Sequence, residues 1–432
     1  MPPLKYLLLN RYHTEIHAVN YIIPKVSIVM PSFNQGQFIE AAVRSILEQK
    51  YPPLELIIAD GGSTDGTLQC LEGLLGVFGD QLKWVSEQDS GPANAINKAL
   101  RLAKGEVIGW LNSDDLYAPR AISSAFLYLS THSEAVMVYG EGEHIDVTGK
   151  SLGRYPTLPP SVAIQAFQDG CFICQPTVFL RREVFESIGL LNESLATAFD
   201  FELWLRVFRK FPGRIGFLNE VLAYSRIHAD CITSRERRLV AIENIKILGK
   251  YFGHAKPHWL LTYVEELYKN YPYHVEFSDL KTHVWKVLSE VESFLDERDV
   301  VQLKDTLIRD VRFKLGSHSV YASVYSDGWA PQCLEIRVRG TGQKLVMLHC
   351  DNNCPDLRLI RLNITGSWGA GFSMVVDKLG YFEIAVHIPE NYTYINYNIR
   401  IKSVDGFVPS DFDTKSTDTR QLVFKLSGID LS

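Results

Sequence analysis

Between Lys25 and about Ser130 the chain alternates short apolar runs with segments of helical periodicity. Val26-Ser-Ile-Val-Met30 is stopped by Pro31, and Phe38, Ile39, Ala42, Val43, Ile46 and Leu47 then recur at helical spacing. Residues 54–59 read as a second strand, 67–78 as the next helix and 82–85 as a third strand. Ala93, Ile96, Ala99, Leu100 and Ala103 form another helical stripe, ended by Gly105. A fourth strand at 107–111 and a helix opening after Pro119 complete the series. Such alternation implies right-handed βαβ units and a mostly parallel sheet.

Acidic residues stand where those strands end: Asp60 after 54–59, Asp89 after 82–85, and Asp114-Asp115 after 107–111. In open α/β sheets, ligands bind in the crevice beyond the carboxyl ends of the strands. Carboxylates there suit Mg²⁺ or Mn²⁺ carrying a phosphorylated ligand, because hard cations take oxygen ligands. That combination points to sugar-nucleotide chemistry. Asp60 also has a plainer reading as a turn former or helix cap, although that reading explains Asp65 better. The adjacent carboxylates of Asp114 and Asp115 repel one another unless solvated or neutralised, and a cation at a strand end does the latter.

With 432 residues the chain exceeds one ordinary core. Its 46% hydrophobic and 22% charged residues are those of a globular protein, and a net charge of −6 gives no general support for a nucleic-acid partner. Cys171-Phe-Ile-Cys174 has metal-ligand spacing, but no second such pair accompanies it, so two packed thiols are expected. Cys350 and Cys354 are close enough in sequence to pair, yet seven cysteines in so long a chain suit a reducing, cytoplasmic compartment. The start lacks the pattern of a signal peptide, and no stretch has the length of a membrane span, so the sequons at Asn192, Asn363 and Asn391 carry little weight.

Beyond the alternating part, 136–139 reads as a strand and 200–211 as an amphipathic helix with Phe201, Leu203, Trp204, Val207 and Phe208 inward. Residues 238–312 carry charged helical periodicity and are expected to form a helical connector, after a domain at 25–237 and an N-terminal extension at 1–24. From 313 to 432 the pattern tends to period two, in runs beginning at Leu334, Lys344, Leu357, Phe382 and Tyr397, with turn residues between them. That predicts an antiparallel β-sandwich domain. Its Trp329, Trp368, Tyr381, Tyr392 and Tyr394 are expected mainly in the core rather than as sugar-stacking surfaces.

Five motifs occur in order over roughly 25 to 235: Val26-Ser-Ile-Val-Met-Pro-Ser-Phe-Asn, Asp60-Gly-Gly-Ser-Thr-Asp-Gly-Thr, Ser86-Glu-Gln-Asp-Ser-Gly, Ala95-Ile-Asn-Lys and Trp110-Leu-Asn-Ser-Asp-Asp. Together they resemble the inverting family 2 glycosyltransferases. The resemblance implies a GT-A, Rossmann-like nucleotide-sugar-binding domain. It places Pro31, Phe33 and Asn34 beside a nucleotide base and ribose, with Asp60 accepting a hydrogen bond from the base, typically of uracil, and Ser63 shaping that pocket. Asp89 and Lys98 fall near ribose and diphosphate. Asn112, Ser113, Asp114 and Asp115 occupy the family's DXD position, with Asp114 the direct ligand of Mn²⁺ or Mg²⁺ and Asp115 a ligand or its support.

An inverting transfer also needs a base for the acceptor hydroxyl. Ala198-Phe-Asp-Phe-Glu-Leu-Trp is similar to the segment that carries it, which implies Asp200, with Glu202 second, at a helix N-terminus expected to keep the carboxylate at low pKa. A helix dipole favouring an acid explains Asp200 equally well without the resemblance. Tyr224-Ser-Arg-Ile-His is similar to the family's closing segment, implying Arg226 on the diphosphate and His228 on the metal or a phosphate oxygen. Gln175-Pro-Thr is likewise family-like, bordering the acceptor cleft. The family commonly has Asp where this chain has Asn94, which puts donor preference or metal dependence in question.

The implied partners are a nucleotide-sugar donor, UDP-linked, and a glycan or lipid-linked glycan acceptor. The latter would bring peripheral contact with the inner face of a membrane. Two other classes compete. A glycan-binding scaffold on an inactivated core does not require the acidic set, and a nucleotidyltransferase wants a glycine-rich basic loop where Pro31-Ser-Phe-Asn stands.

Overall fold

The computed structural model describes residues 26–49, 53–270, 280–310, 312, 320–353, 359–394, 396–407, 409, 416 and 418–432. The extension at 1–24, Cys354, Leu357 and the start of the expected sandwich domain at 313 lie outside the described residues. The chain divides into two compact units. One takes Met1–Ala163, Cys171–Ser194 and Arg206–Ile227, and the other Ile164–Gly170, Leu195–Leu205 and His228–Ser432. The expected boundary at 237/238 thus falls at 227/228, and the helical connector groups with the C-terminal strands.

The first unit opens with strands β1 (Val26–Ser32), β2 (Leu54–Asp60), β3 (Leu82–Ser86) and β4 (Val107–Trp110), linked by helices α1 (Ile39–Leu47), α2 (Thr67–Phe78) and α3 (Pro92–Leu102). It continues through β5 (Leu116–Tyr117), α4 (Ala121–Thr131), β6 (Met137–Ile145), β7 (Ser151–Arg154), β8 (Phe179–Arg181), α5 (Arg182–Ile188) and β9 (Ile215–Arg226). The sheet runs β3-β2-β1-β4-β8-β6-β9-β5, with β7 on β6. As the alternation predicts, β3, β2, β1 and β4 are parallel neighbours. Beyond β4 the sheet becomes mixed, because β8 runs antiparallel to both β4 and β6.

The periodicity shows where the core lies. β1 and β2 are buried along their whole length, as strands covered on both faces must be. The stripe Ile39, Ala42, Val43, Ile46 and Leu47 of α1 packs into the same cluster, where each large apolar side chain is worth roughly 1.5–3 kcal/mol. At the amino ends of the strands, buried Glu55 accepts from Ser27 Oγ (2.6 Å), the Lys104 amide (2.8 Å) and Lys83 Nζ (2.8 Å), which fixes that edge. At the carboxyl ends, Ser32 pairs with Asp60 and Asp60 with Ser86, so three loops start at one level. The strand order reverses between β1 and β4, the switch point at which such sheets bind ligands.

The second unit contains the start of α6 (Phe199–Lys210), then α7 (Ile232–Arg235), α8 (Arg237–Phe252), α9 (His258–Asn270), α10 (Leu280–Val291) and α11 (Glu297–Arg309). Strands β10 (Val320–Ala322), β11 (Trp329–Pro331), β12 (Cys333–Val338), β13 (Leu345–Asn352), β14 (Ile360–Gly366), β15 (Gly371–Val376), β16 (Gly380–His387), β17 (Tyr397–Ser403) and β18 (Leu422–Leu431) follow. They form antiparallel sheets ordered β10-β12-β17-β14-β15 and β11-β18-β13-β16, whose inward residues share one core cluster. The sequence reading missed β10, β11, β15 and β18, two of which have only three residues.

The aromatic residues divide. Trp329 packs edge-on against Phe407, and Trp368 against Tyr392 and Tyr397, as core side chains do. Tyr381 is half exposed and bonded to His349 and Glu383, and Tyr394 is 79% exposed. Of the paired cysteines, Cys174 is buried against Gly142 and the Cys171 thiol bonds the Ile173 carbonyl, an arrangement of packed thiols.

Candidate functional site

In the first unit the loops after β1 and β2 are tied together by side chains reaching for backbone amides. Asn34 has φ of 53°, a left-handed conformation that Asn tolerates better than most residues. Its amide donates to Ser63 Oγ at 2.7 Å while its Oδ1 accepts from the Thr64 amide at 2.9 Å. The Gln35 amide donates to Thr67 Oγ1, and the Gly36 amide to Asp65 Oδ2. Asp65 also accepts from the Thr67 amide and hydroxyl, and these bonds hold its carboxyl below the usual range despite slight burial. Asp65 is therefore the turn and cap residue expected of it.

Asp60 does more than the resemblance implies. It is 1% exposed and accepts from the Gly62 amide (3.0 Å), the Ser63 amide (2.9 Å), Ser63 Oγ (2.5 Å) and Ser86 Oγ (2.7 Å). A carboxylate has about four acceptor sites, two on each oxygen; three of these bonds fall on Oδ2 and one on Oδ1, so Oδ1 keeps room for a further donor. Gly62, at φ of 88°, lets the chain curl back over that carboxylate. Phe33, in contrast, is 58% exposed at the end of β1. Gly61 lies between it and Asp89, since a Cβ there would come within 3.3 Å of the ring and 2.6 Å of Asp89 Oδ2. Asp89 also accepts from the Gly91 amide at the start of α3. An exposed aromatic face next to a carboxylate is a surface on which a flat ring can stack. Pro31 is buried in β1, opposite Ala59.

After β4 the two adjacent acids take different tasks. Asp115 is buried, with Oδ1 accepting from the Arg226 amide (2.8 Å) and Oδ2 from Asn112 Nδ2 (3.3 Å). Burial, then repulsion from Asp114, pushes its carboxyl well above the usual range. These bonds let Asp115 shape the loop, the supporting one of the two places the resemblance implies for it. Asn112 Nδ2 also reaches Gln175 Oε1, and its Oδ1 accepts from Trp110 Nε1, while Gln175 Nε2 donates to the Trp110 carbonyl. Ser113 is buried, and Asp114 is half-buried.

Arg226 is turned toward the same loop. Its guanidinium donates to the carbonyls of Asp114, Asp146 and Val147 and lies 4.9 Å from the centre of the Phe38 ring. It is 7% exposed and holds the acidic loop in place instead of reaching out to a diphosphate. Lys98 Nζ bonds Glu87 (2.9 Å) and the Gln88 carbonyl (3.2 Å). Asn94 donates to Glu193 Oε2 at 2.7 Å, and Asn97 to Glu193 Oε1 at 2.7 Å. That contact accounts for the departure at 94, because an Asp there would set like charges together. Glu193 has no signature in the sequence near the motifs it serves.

In the second unit, Asp200 stands in the first turn of α6. Its Oδ1 accepts from the Phe201 amide at 2.7 Å, yet burial pushes the carboxyl up to about 6. The low value expected from the helix N-terminus is corrected: desolvation of the charged form outweighs the dipole and the backbone bond. Glu202 is half-buried and accepts from Tyr251 Oη at 3.1 Å. The His228 amide donates to Cys231 Sγ at 3.3 Å, a neighbour the sequence reading did not single out.

A sheet whose strand order reverses between β1 and β4, with an exposed aromatic ring and acids at its strand ends, is an α/β domain of the GT-A type. The Glycosyl transferase family 2 model matches residues 27–189. "Putative teichuronic acid biosynthesis glycosyltransferase TuaG" of Bacillus subtilis is 30% identical over 213 residues, covering 49% of this chain and 83% of that protein. An uncharacterized glycosyltransferase of Rickettsia felis is 30% identical over 225 residues, 49% of this chain. The chain spans only 36% of that relative's length. Among solved structures, S. aureus TarS 1-349 in complex with UDP is 20% identical, covering 67% of this chain and 85% of that one, with a TM-score of 0.46. The chain belongs to glycosyltransferase family 2.

Proposed function

We propose that this chain transfers a sugar, with inversion at the anomeric carbon, from a UDP-linked donor to a hydroxyl of a glycan or lipid-linked glycan. The observation that supports the reading is the exposed Phe33 ring beside Asp89 at the carboxyl ends of the sheet, where the strand order reverses between β1 and the β4 strand that leads into the Asn112–Asp115 loop. Phe33 stacks on the base, the loop knitted by Asp60 and Ser63 encloses it, and Asp89 meets the ribose.

A divalent cation fits the acidic loop, because Asp114 and Asp115 repel one another and a positive charge relieves that. Asp114 would hold Mn²⁺ or Mg²⁺, and the cation would neutralise charge on the departing diphosphate. In the transfer, the acceptor oxygen attacks the anomeric carbon, the bond from that carbon to the diphosphate oxygen breaks, and its electron pair leaves with the diphosphate. The hydroxyl proton passes to Asp200. A carboxyl raised to about 6 is mostly ionised at neutral pH and is a stronger base than an ordinary aspartate. Among the described residues no helix is long and apolar enough to cross a membrane, so a lipid-linked acceptor would be met from the surface.

The test is thermal stabilisation by UDP, dTDP, GDP and CMP, with and without Mn²⁺, in wild type and Asp114→Ala, alongside transfer from UDP-sugars. Stabilisation by UDP that needs both Mn²⁺ and Asp114, with transfer abolished in the variant, is expected. Full turnover by Asp114→Ala would refute the cation site, and no shift with any nucleotide would refute the donor site.

A further inference from the structure

Of the acids in the second unit, Glu243 accepts four hydrogen bonds from one short segment of chain. It lies on α8 and receives the Ala196 amide (2.7 Å) on one oxygen. The other oxygen takes the Thr197 amide (2.9 Å), the Thr197 hydroxyl (2.7 Å) and the Ala198 amide (2.9 Å). Those donors are the residues that lead directly into α6, whose first turn carries Asp200 and Glu202. The amides at a helix start have no partner inside the helix, and here a carboxylate from a helix remote in sequence supplies one. Two turns further along α8, Tyr251 donates to Glu202. The ring next to Asp200, Phe201, is wedged edge-on against Phe167 and tilted against Trp259.

We propose that Glu243 is the positioning residue of the catalytic base: by clamping residues 196–198 it sets where the Asp200 carboxylate stands, without touching the reacting atoms. This rests on the reading of Asp200 as base. A bond network of this kind could equally serve stability alone, and the two roles differ in what they do to Asp200. Releasing the clamp lets water reach the Asp200 carboxyl, which lowers its pKa and weakens it as a base. A purely structural loss scales activity down without moving its pH dependence.

The experiment measures kcat, donor KM and the acid limb of the kcat/KM profile for wild type, Glu243→Ala, Glu243→Gln, Glu243→Asp and Asp200→Asn. Glu266→Gln is the structural control, since it breaks the Arg237–Glu266 pair that also anchors α8. Glu243→Ala is expected to lose roughly 10²-fold in kcat, the scale of a misplacement near 1 Å. Its donor KM should change by no more than about twofold, and its acid limb should move to lower pH. Glu243→Asp should recover part of both, and Glu266→Gln should lower Tm and leave the limb in place. UDP-dependent stabilisation of each variant reports that it is folded. If Glu243→Ala fails to fold, Glu243→Gln and Thr197→Val, which each remove part of the clamp, read the same limb. An unmoved limb in the folded variants, or Glu243→Asp no better than Glu243→Ala, overturns the proposal. Full turnover by Asp200→Asn overturns instead the reading of the base on which it rests.

Discussion

Two aspartates, the buried Asp60 and the half-buried Asp200, are treated in opposite ways. Asp60, at the end of β2, accepts four hydrogen bonds from the loop around it. Asp200, at the start of α6, accepts one from the Phe201 amide and is pushed up to about 6 by burial. Placing a carboxylate away from water costs free energy that hydrogen bonds to the charged form offset. Around Asp60 the bonds are numerous and the acid anchors a pocket wall. Around Asp200 they are few, so the energy left uncompensated appears as basicity. The loop after β2 uses its carboxylate for rigidity, and α6 leaves its own with raised basicity.

The largest test of that contrast is Asp200→Asn. Transfer should fall by roughly 10²- to 10⁴-fold, the usual weight of a general base, with UDP-dependent stabilisation unchanged. In the wild type kcat/KM should rise with pH through about 6, because the base must be ionised, and this limb should be missing from the residual rate of the variant.

Asp60→Ala should break the other side of the comparison. It strands the Gly62 and Ser63 amides and two hydroxyls, so a loss of about 3 kcal/mol in urea unfolding is expected, with weaker stabilisation by UDP. Near-native stability would mean the loop does not depend on its carboxylate.

Asp200 should also leave a stability signature of opposite sign to that of a bonded acid. Its folded pKa lies above its unfolded value of 3.8, so folding is favoured most below pH 4, and that advantage is lost as pH rises through about 6. At pH 8 Asp200→Asn should therefore be more stable than wild type, by at most about 3 kcal/mol, and the gain should vanish at pH 4. Urea titrations at the two pH values check it. The smallest effect is expected at Asn94→Asp, which turns a hydrogen bond to Glu193 into a like-charge contact at a partly exposed site. A loss of about 0.5–1 kcal/mol should follow, smaller at high salt.

Much of the donor half was legible in the sequence because its signals are local. The helical stripe of α1, the buried runs of β1 and β2 and the acids that end strands are patterns within a dozen residues, and each stands where periodicity puts it. Asp65 follows the same logic through Thr67, whose amide and hydroxyl it accepts within its own turn. The mixed part of the sheet was less legible, because β8 and β5 have three and two residues and take their direction from neighbours.

What the sequence by itself determined is the kind of molecule: a βαβ core with acids at its ligand-binding edge, followed by antiparallel strands. Only the tertiary structure decided what each acid does. Asp114 and Asp115 are adjacent in sequence, yet the Asp115 carboxylate is buried on the amide of Arg226 while Asp114 is half-buried and gives its carbonyl to the Arg226 guanidinium. The low pKa expected of Asp200 from its helix position gave way to burial, and the clamp from Glu243 spans more than forty residues of chain. The reason is physical: periodicity and turn chemistry act between neighbours along the chain. Desolvation and hydrogen bonding depend on whatever folding brings near, and no short stretch of sequence records that.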